Sequence, residues 1–432
     1  MNKLSLLILT LLLVNNCSIN KKQGLWGKEK SNIKNIENIK TILTKQSREV
    51  KEFNPKLEIK ISKGEFNKNF QNNQNDFGEL SYEGELEKIG KYKFSKFDDF
   101  DYIDVRPVFY NEHTLFFDNK GTIILYDQNQ KVIWKKNNYS KNEKKLKPRL
   151  NFAISKNFLI VTDNIAKYYL IDIETGDIIW SKNNSVPFNS NIKVKDNIFY
   201  AVDYKNILRA ILIKDGSELW NLKTEESLTK SNTKISIAIE KESIYFNNTI
   251  GDITAVNIKS GQLIWQLPTQ NNNTTKSAFQ LSYSEIVINA QTIFFSNNKN
   301  EFYSLDTTTG LINWKNEINS NLKPVIIGEF IITVSQKGYL YIVDKQTGSI
   351  IRINNLHQNY KIKKRNRVST TGFFVAQNKI YLSNNDGKLI IANLNTGNIL
   401  NTKKISNNKI LQPYLNNNHL FIIKNGAIIK FN

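Results

Sequence analysis

The stretch Asp172-Ile-Glu-Thr-Gly176-Asp-Ile-Ile-Trp180 decides the fold, because close copies of it recur along the chain. Two further clear copies keep the Asp or Asn, the Gly and the Trp at the same spacing. They are Asn257–Gly261–Trp265 and Asp306–Gly310–Trp314. Four weaker copies keep only part of the pattern: Asp127–Lys131–Trp134, Leu212–Gly216–Trp220, Asp344–Gly348–Arg352 and Asn393–Gly397–Asn401. The repeat spacing of 38 to 49 residues is typical of propeller blades built from short strands.

Each copy lies between apolar runs that have the length of β-strands. The run Tyr339 to Val343 precedes one copy, and a polar turn such as Asn385-Asp386-Gly387 separates two runs before another. Such turns between β-rich runs are hairpin signals, and the Gly supplies a positive φ. We therefore predict an all-β protein in which each unit is a four-stranded antiparallel meander. Five of the seven prolines should precede the first strand of a unit, namely Pro107, Pro148, Pro187, Pro324 and Pro413.

An eighth unit is predicted from the two ends of the repeat region. The C-terminal stretch His419 to Phe431 matches the second and third strands of a blade and then stops. The stretch Lys91 to Phe97 alternates correctly for the missing outer strand. We therefore expect an eight-bladed β-propeller over residues 89–432, closed by pairing of its N- and C-terminal strands.

The N-terminus has the pattern of an export signal. Lys3 is followed by an apolar run from Leu4 to Val14, which is too short to span a bilayer, and residues 1–16 are predicted to be a signal peptide. Cys17, the only cysteine, directly follows and resembles the acylated Cys of bacterial lipoproteins, although Asn16 replaces the usual small residue. Residues 17–88 are then a lipidated flexible tether, in which Ser31 and the apolar positions to Leu43 give a weak amphipathic helix pattern. Ser18 favours the outer membrane as the destination.

The chain is strongly basic, with a formal net charge of +21. Two concentrations of positive charge, Lys135 to Arg149 and Lys361 to Arg367, fall in predicted inter-blade loops. Either they contact anionic lipid or an acidic partner, or they are solvated loops. Export excludes nucleic acid as a partner.

The repeat resembles that of the pyrroloquinoline-quinone-type β-propellers. Within that group, the seven anchors, the half-blade C-terminus and the Cys after the signal are similar to the BamB-like lipoproteins of the outer-membrane β-barrel assembly machinery. The resemblance implies a non-enzymatic scaffold on the periplasmic face of the outer membrane, with no cofactor, monomeric within a hetero-complex, that binds periplasmic domains of BamA. It also implies partner contacts in one loop, at Ser227, Leu228, Thr229, Lys230 and Asn232. Lys230 lies near a position where the family tends to carry Arg.

Two alternatives stay open at this point. A propeller lipoprotein could serve another envelope complex, for example in polysaccharide or pilus export. A quinoprotein dehydrogenase on the same fold is disfavoured, because one Cys cannot form the vicinal disulfide of those enzymes. His113, His357 and His419 have no metal-ligand spacing and are expected at the surface or in turns, and no catalytic or metal site is predicted.

Overall fold

The strands of the protein form eight small sheets. The computed structural model describes residues 50–61, 75, 78–226, 233–269 and 281–432, and residues 51–432 form one compact unit. The predicted signal peptide, Cys17 and the helix pattern at residues 31–43 lie outside the described residues.

The first four sheets follow one another along the chain, and each contains four consecutive strands. Blade 1 contains β2 (Val108–Tyr110), β3 (His113–Phe117), β4 (Thr122–Tyr126) and β5 (Val132–Asn137). Blade 2 contains β6 (Leu150–Ser155), β7 (Phe158–Asp163), β8 (Lys167–Asp172) and β9 (Ile178–Asn183). Blade 3 contains β10 (Lys193–Lys195), β11 (Ile198–Val202), β12 (Ile207–Leu212) and β13 (Glu218–Lys223). Blade 4 contains β14 (Ile237–Glu240), β15 (Ser243–Asn247), β16 (Ile253–Asn257) and β17 (Leu263–Leu267).

The remaining sheets continue the pattern until the last, which borrows a strand from the start of the unit. Blade 5 contains β18 (Val287–Asn289), β19 (Thr292–Asn297), β20 (Glu301–Asp306) and β21 (Ile312–Asn316). Blade 6 contains β22 (Val325–Ile327), β23 (Phe330–Val334), β24 (Tyr339–Asp344) and β25 (Ile350–Asn355). Blade 7 contains β26 (Thr370–Ala376), β27 (Lys379–Asn384), β28 (Lys388–Asn393) and β29 (Ile399–Lys404). Blade 8 contains β30 (Ile410–Asn416), β31 (His419–Lys424), β32 (Ala427–Phe431) and β1 (Lys88–Lys93).

The blades stand side by side in a ring, with the first strands of neighbouring blades in contact near its centre. The middle strands bury both of their faces, as in β4, where all five residues are buried. A short apolar run without alternation is the sequence pattern of such a strand. The prediction of an eight-bladed, four-stranded propeller is therefore confirmed.

The ring closes through β1, which pairs antiparallel with β32 from Lys88 opposite Phe431 to Lys93 opposite Ala427. The fully buried ring of Tyr92 lies 5.3 Å from that of Tyr126 in blade 1 and 6.1 Å from that of Phe421 in blade 8. The closing strand begins three residues before the predicted start at Lys91. Its aromatic side chain therefore joins the cores of the first and last blades.

Residues 51–61 and 78–87, which we name the N-terminal strap, pack on the ring, whereas the sequence predicts a flexible tether there. Phe53 forms an antiparallel bridge with Ile353 of β25, and Leu80 forms a parallel bridge with Ala376 of β26. Ile59 and Ile61 are buried against the core of blades 6 and 7. The compact unit therefore begins at residue 51, although the first strand of the ring begins at Lys88, because apolar side chains of the strap find a buried surface on the ring.

Two short α-helices and one 3-10 helix, Phe100–Tyr102, are present among the described residues. Helix α1 (Lys141–Lys145) begins with a capping box formed by Ser140 and Glu143, and helix α2 (Ile362–Arg365) connects blades 6 and 7. The two basic concentrations thus lie on these connections, although the first begins within β5. None of the described helices has the length and apolar character needed to cross a membrane.

One local expectation is refined and another needs correction. His357 lies in a turn, one of its two expected places, but it is fully buried, with Nε2 3.1 Å from Oδ1 of Asn384, and burial lowers the pKa of its imidazole. Pro413 lies within β30 rather than before it, at a register shift in the pairing with β31. Because β30 is the last strand of its sheet, the missing N–H of Pro413 interrupts no ladder on the other side.

Candidate functional site on the front face of the ring

The repeated Asp and Gly residues form the turn between the third and fourth strands of a blade. Oδ1 of Asp172 accepts hydrogen bonds from the backbone N–H groups of Glu174 and Thr175, both at 3.0 Å. Gly176 has a φ of +75°, and its N–H donates to the carbonyl of Asp172 at 2.8 Å. Asn257 and Asp306 accept the equivalent bonds in blades 4 and 5. The side chain therefore adds to the backbone hydrogen bonds that hold this tight turn.

The repeated Trp residues join neighbouring blades. Nε1 of Trp180 donates to the carbonyl of Ile213 in blade 3 at 2.8 Å, and Nε1 of Trp265 donates to Thr307 in blade 5 at 2.9 Å. Trp314 makes the same bond to Lys345 in blade 6, at 3.1 Å. A β-bulge lies directly before the Trp in each of these three blades. In blade 2 the register of β8 with β9 shifts between Leu170 and Ile171. The bulge turns the indole toward the next blade.

Blade 6 departs from this pattern because Arg352 occupies the Trp position. The guanidinium is fully buried and donates to the carbonyl of Leu394, which is the acceptor equivalent to that of the Trp residues. It also donates to the carbonyl of Leu57 in the N-terminal strap, at 2.8 Å. The chain therefore uses one long cation to hold both the next blade and the strap.

The front face is the face on which the chain enters the first strand of each blade. It carries the inter-blade connections, including the one between β13 and β14 to which the partner contacts are assigned by resemblance. Ser227, Leu228, Thr229, Lys230 and Asn232 all lie outside the described residues. Of their described neighbours, Glu226 forms an ion pair with Lys223 at 3.3 Å, and Thr233 lines the central cavity. Thr233, the first described residue after the predicted contact positions, therefore lies at the mouth of the channel.

A cavity of about 930 Å³ opens at the centre of the front face. Its walls come from the residues just before or at the start of the first strand of all eight blades. Charged residues are prominent among them: Arg106 in blade 1, Lys234 in blade 4, Glu285 in blade 5 and Lys323 in blade 6. We name Arg106, Lys193, Lys234, Lys323, Glu285 and Asp104 the channel cluster.

The channel cluster is centred on the carboxylate of Glu285. The guanidinium of Arg106 contacts Oε1 of Glu285 directly, and Nζ of Lys323 lies 3.5 Å from Oε2. Arg106 also lies 3.6 Å from a carboxylate oxygen of Asp104, whose backbone carbonyl accepts a hydrogen bond from Nζ of Lys234 at 2.9 Å. Lys193, the first residue of β10, is only 6 % exposed beside this group. Charges from five blades therefore meet at one point.

Burial and mutual repulsion shift the pKa values of these groups. Burial by itself would raise the pKa of the Glu285 carboxyl, but Arg106 and Lys323 outweigh it and hold that pKa far below its usual range. Burial lowers the pKa of Lys193 to about 7, with Lys323 acting in the same direction. Burial also lowers the pKa of Lys234 to about 8. Glu285 is thus ionised at neutral pH, while the charge on Lys193 is sensitive to its surroundings.

The sequence contains a signal for this cluster. Arg106-Pro107-Val108 and Lys323-Pro324-Val325 are equivalent tripeptides at the entrance to blades 1 and 6. The proline marks the start of a strand, and the cation directly before it is the residue that reaches the channel. No group of three or more His, Cys, Asp or Glu side chains suited to a metal ion occurs within the described parts of the chain.

Comparison with known proteins identifies the relatives of this chain. The sequence model of the family described as "Outer membrane protein assembly factor BamB" matches residues 119–354, more than half of the chain. The chain belongs to the BamB family. A BamB from Shewanella oneidensis is 25 % identical over 160 residues, which is 35 % of this chain and 35 % of that protein. The aligned stretch thus spans about a third of the length of this relative.

Solved structures agree on the fold. The crystal structure of BamB from Moraxella catarrhalis matches with a TM-score of 0.64 at 14 % identity, covering 80 % of this chain and 99 % of that one. A quinohemoprotein alcohol dehydrogenase from Pseudomonas putida matches with a TM-score of 0.57 at 12 % identity, covering 84 % of this chain and 78 % of that one. Because an assembly factor and an alcohol dehydrogenase share this propeller, the fold alone does not distinguish their activities.

Proposed function

We propose that this protein is a non-enzymatic scaffold subunit of the outer-membrane β-barrel assembly machinery. Membership of the BamB family carries this proposal, since the family is described by that assembly role. In this proposal the chain is anchored at Cys17 to the periplasmic face of the outer membrane. The connection at residues 227–232 then binds the periplasmic region of a BamA-like protein, and the propeller acts as one monomeric member of the complex.

Charged side chains stand at the described end of the connection. Glu225, Glu226 and Lys223 lie there, and Glu226 forms an ion pair with Lys223 at 3.3 Å. Charges at the rim of an interface steer association with a partner of complementary charge.

Site-specific photocrosslinking in the native envelope tests the partner. A photoreactive residue at Thr229 or Lys230 should give adducts with the BamA-like protein. The same probe at Thr175, which is exposed in a turn on the opposite face, is the control. Adducts that contain a different envelope protein, or adducts of equal yield from Thr175, would overturn the assignment of the partner.

Substitution of the loop cation tests the charged contact. Lys230→Glu should leave the unfolding temperature unchanged and reduce co-purification of the BamA-like protein by about tenfold, as expected for loss of a charge pair within an interface. Lys145→Glu makes the same change of charge in the exposed helix α1 and should retain the partner. Equal losses in both variants would indicate a general effect of charge.

Membrane fractionation tests the anchor. Cys17→Ser should release the protein from the membrane fraction while the propeller remains folded, because acyl chains supply the attachment. Recovery of folded Cys17→Ser protein with the outer membrane at the wild-type level would contradict acylation as the anchor.

A further inference from the structure

We infer that one sector of the front face docks on an anionic lipid surface. The sector consists of helix α2, the cleft between blades 7 and 8, and helix α1, and we name it the basic sector. It follows the inter-blade connections from blade 6 round to blade 2, whereas the connection assigned to the protein partner joins blades 3 and 4. The inference therefore goes beyond the proposed function and depends neither on that partner nor on the acyl anchor.

The cleft is the first argument. It has a volume of about 700 Å³ and is lined by four lysines, of which Lys404 ends β29 and Lys424 ends β31. The other two, Lys91 in β1 and Lys96 just after it, are exposed, as is Lys404, and Lys424 is half-buried. The lining includes no carboxylate, and none of these four ammonium groups has an ion pair or a hydrogen bond within the residues that the structure describes. All four are therefore available to an anion that approaches from solvent.

Like charges crowd one another in this cleft. Desolvation and the nearby charges of Lys424, Lys93 and Lys88 lower the pKa of Lys91. The phosphate groups of a lipid surface relieve such repulsion, because a lysine close to an anionic bilayer is attracted by several headgroups at once.

The two helices continue the positive surface beyond the cleft. Lys361 and Lys363, beside and within α2, are exposed, as are Lys141 and Lys145 in α1. None of these four lysines forms an ion pair among the described residues. Unpaired cations therefore lie on the connection before blade 7, in the cleft before blade 8 and on the connection before blade 2.

The segment between the cleft and α1 does not cancel this charge. Asp98 is paired with Lys147 at 3.0 Å, and Asp99 is paired with Arg149. Asp101 is exposed and has no ion pair in the part of the chain that is described, but it stands against the unpaired lysines of the cleft and of both helices.

The opposite face differs because its charges are mixed in sign. Its turns between third and fourth strands contain the repeat carboxylates Asp172, Asp306 and Asp344. Lys259, in another of these turns, is paired with Glu242 at 2.9 Å. An anionic bilayer is therefore attracted to the basic sector rather than to the opposite face.

Protruding apolar side chains are the second argument. Ile362 of α2 is 75 % exposed and Leu146, directly after α1, is 62 % exposed, and each has a lysine on both sides in the sequence. Tyr102, on the connection that leads into blade 1, is 92 % exposed. Aliphatic side chains enter the boundary between headgroups and acyl chains while flanking lysines stay at the phosphates, and Tyr favours the headgroup layer.

The residue types favour lipid over an acidic protein. Protein interfaces are depleted in Lys and enriched in Arg and aromatic residues. The unpaired cations of the cleft and of α1 are all Lys, and Ile362 and Leu146 lie on separate connections rather than in one apolar patch. Separate apolar tips among lysines are suited to a fluid surface of headgroups.

Fluorescence of a single label tests contact with lipid. The chain without its first 17 residues contains the whole compact unit 51–432 and has no cysteine, so a cysteine introduced on the ring is the only site of attachment. An environment-sensitive fluorophore at Ile362→Cys or Leu146→Cys should shift to shorter wavelength with vesicles that contain phosphatidylglycerol. The same label at Leu311→Cys, a residue 69 % exposed on the opposite face, is the matched control. Absence of a shift at positions 362 and 146, or an equal shift at position 311, would overturn the proposal.

Neutralisation of the cleft tests the charged contact. The fourfold Lys→Gln variant at positions 91, 96, 404 and 424 should bind the same vesicles at least about tenfold more weakly. The control variant loses four exposed lysines from turns on the opposite face, through Lys131→Gln, Lys156→Gln, Lys214→Gln and Lys379→Gln. Both variants have the same net charge, and circular dichroism checks that both are folded. Equal affinities of the two variants would reject the basic sector as the binding surface.

Competing ligands identify the anion. Vesicles of phosphatidylcholine alone should bind at least about tenfold more weakly than vesicles with phosphatidylglycerol, and an excess of glycerol 3-phosphate should not displace the protein from the latter. Displacement by glycerol 3-phosphate would indicate a site for one free phosphate group and overturn docking on a surface. Tighter binding of poly-glutamate than of vesicles would assign the sector to an acidic protein and overturn the choice of lipid. Neither result bears on crosslinking at Thr229, so this inference fails or holds separately from the proposed function.

Discussion

At the scale of single residues, the contact between Gly310 and Trp265 determines how two blades meet. Gly310 has a φ of +72°, and a Cβ atom at this position would lie 2.6 Å from Cδ2 of the Trp265 indole. Both the backbone conformation and the space therefore exclude a side chain. Trp265 comes from the copy of the repeat before the one that contains Gly310, so the Trp of one blade packs on the Gly of the next.

Replacement of this glycine should destabilise the ring. Gly310→Ala requires a left-handed backbone and displaces the indole, and we expect the free energy of unfolding to fall by about 1–3 kcal/mol. Urea unfolding followed by tryptophan fluorescence measures the change. Gly90→Ala is the control, because its φ is not in the left-handed region and its nearest neighbour is the flexible end of Gln130. A loss of the same size in both variants would contradict the argument.

Lys193 should reduce stability at neutral and acidic pH. Its pKa falls from an ordinary 10.5 to about 7 on folding, so below pH 7 the folded protein carries a buried ammonium group. Between these values the unfolded chain binds more protons, and wild-type stability therefore rises with pH. Lys193→Met should gain about 2–4 kcal/mol at pH 6, with the gain shrinking toward pH 10. Urea unfolding of both proteins at pH 6, 8 and 9.5 measures it, and a gain that does not depend on pH would refute the explanation.

At the scale of elements, the N-terminal strap packs where the repeat lacks its Trp. The sixth copy ends in Arg352 rather than Trp, and the seventh begins with Asn393. Arg352 reaches the same acceptor in blade 7 as a Trp would and holds the strap through Leu57 as well. Further along the strap, the backbone N–H of Leu80 donates to the carbonyl of Val375 at 2.9 Å. The hydroxyl of Tyr82 donates to the backbone carbonyl of Asn432 at 2.5 Å.

Removal of the cation should release the strap before the ring. In Arg352→Met the carbonyls of Leu57 and Leu394 lose their donor, and the local free energy of opening should fall by about 1–3 kcal/mol. Hydrogen exchange with mass spectrometry should then show faster exchange at residues 51–61 and little change in β23. Lys363→Met, on the exposed side of α2, should leave both regions unchanged. Unaltered protection of residues 51–61 in Arg352→Met would show that the strap does not depend on this side chain.

At the scale of the whole molecule, closure by β1 should make the ring unfold as one unit. Tyr92 is 1 % exposed and connects blades 8 and 1, so Tyr92→Ala should lower the free energy of unfolding by about 3–5 kcal/mol. Differential scanning calorimetry should still show a single transition, at a lower temperature. Tyr102→Ala, at a residue that is 92 % exposed, is the control. A separate early transition for blade 8 would contradict coupling through closure.

Much of the architecture follows from local sequence. The apolar runs between Gly261 and Gly310 predict the strands of one blade and their order, and the structure has them in that order. This is possible because turns and alternating patterns depend on neighbours along the chain. The closing strand was also predictable, since the last blade lacks one strand and Tyr92 lies in a suitable run. Local pattern did not reveal that the strap packs on the ring. Leu57, Ile59 and Ile61 alternate with polar residues, as do Leu80 and Tyr82, but so short a run does not indicate which surface it covers.

The sequence by itself determined the fold class, the number of blades and the way in which the ring closes. The reason is that a repeated turn joins the same two strands in each blade and a repeated Trp contacts the next blade. Only the tertiary structure decided which charges meet. Arg106, Lys193 and Glu285 are separated by up to 179 residues along the chain, yet they converge because every blade presents its first strand to the same axis. Their lowered and raised pKa values depend on that convergence, which no spacing within a single repeat contains.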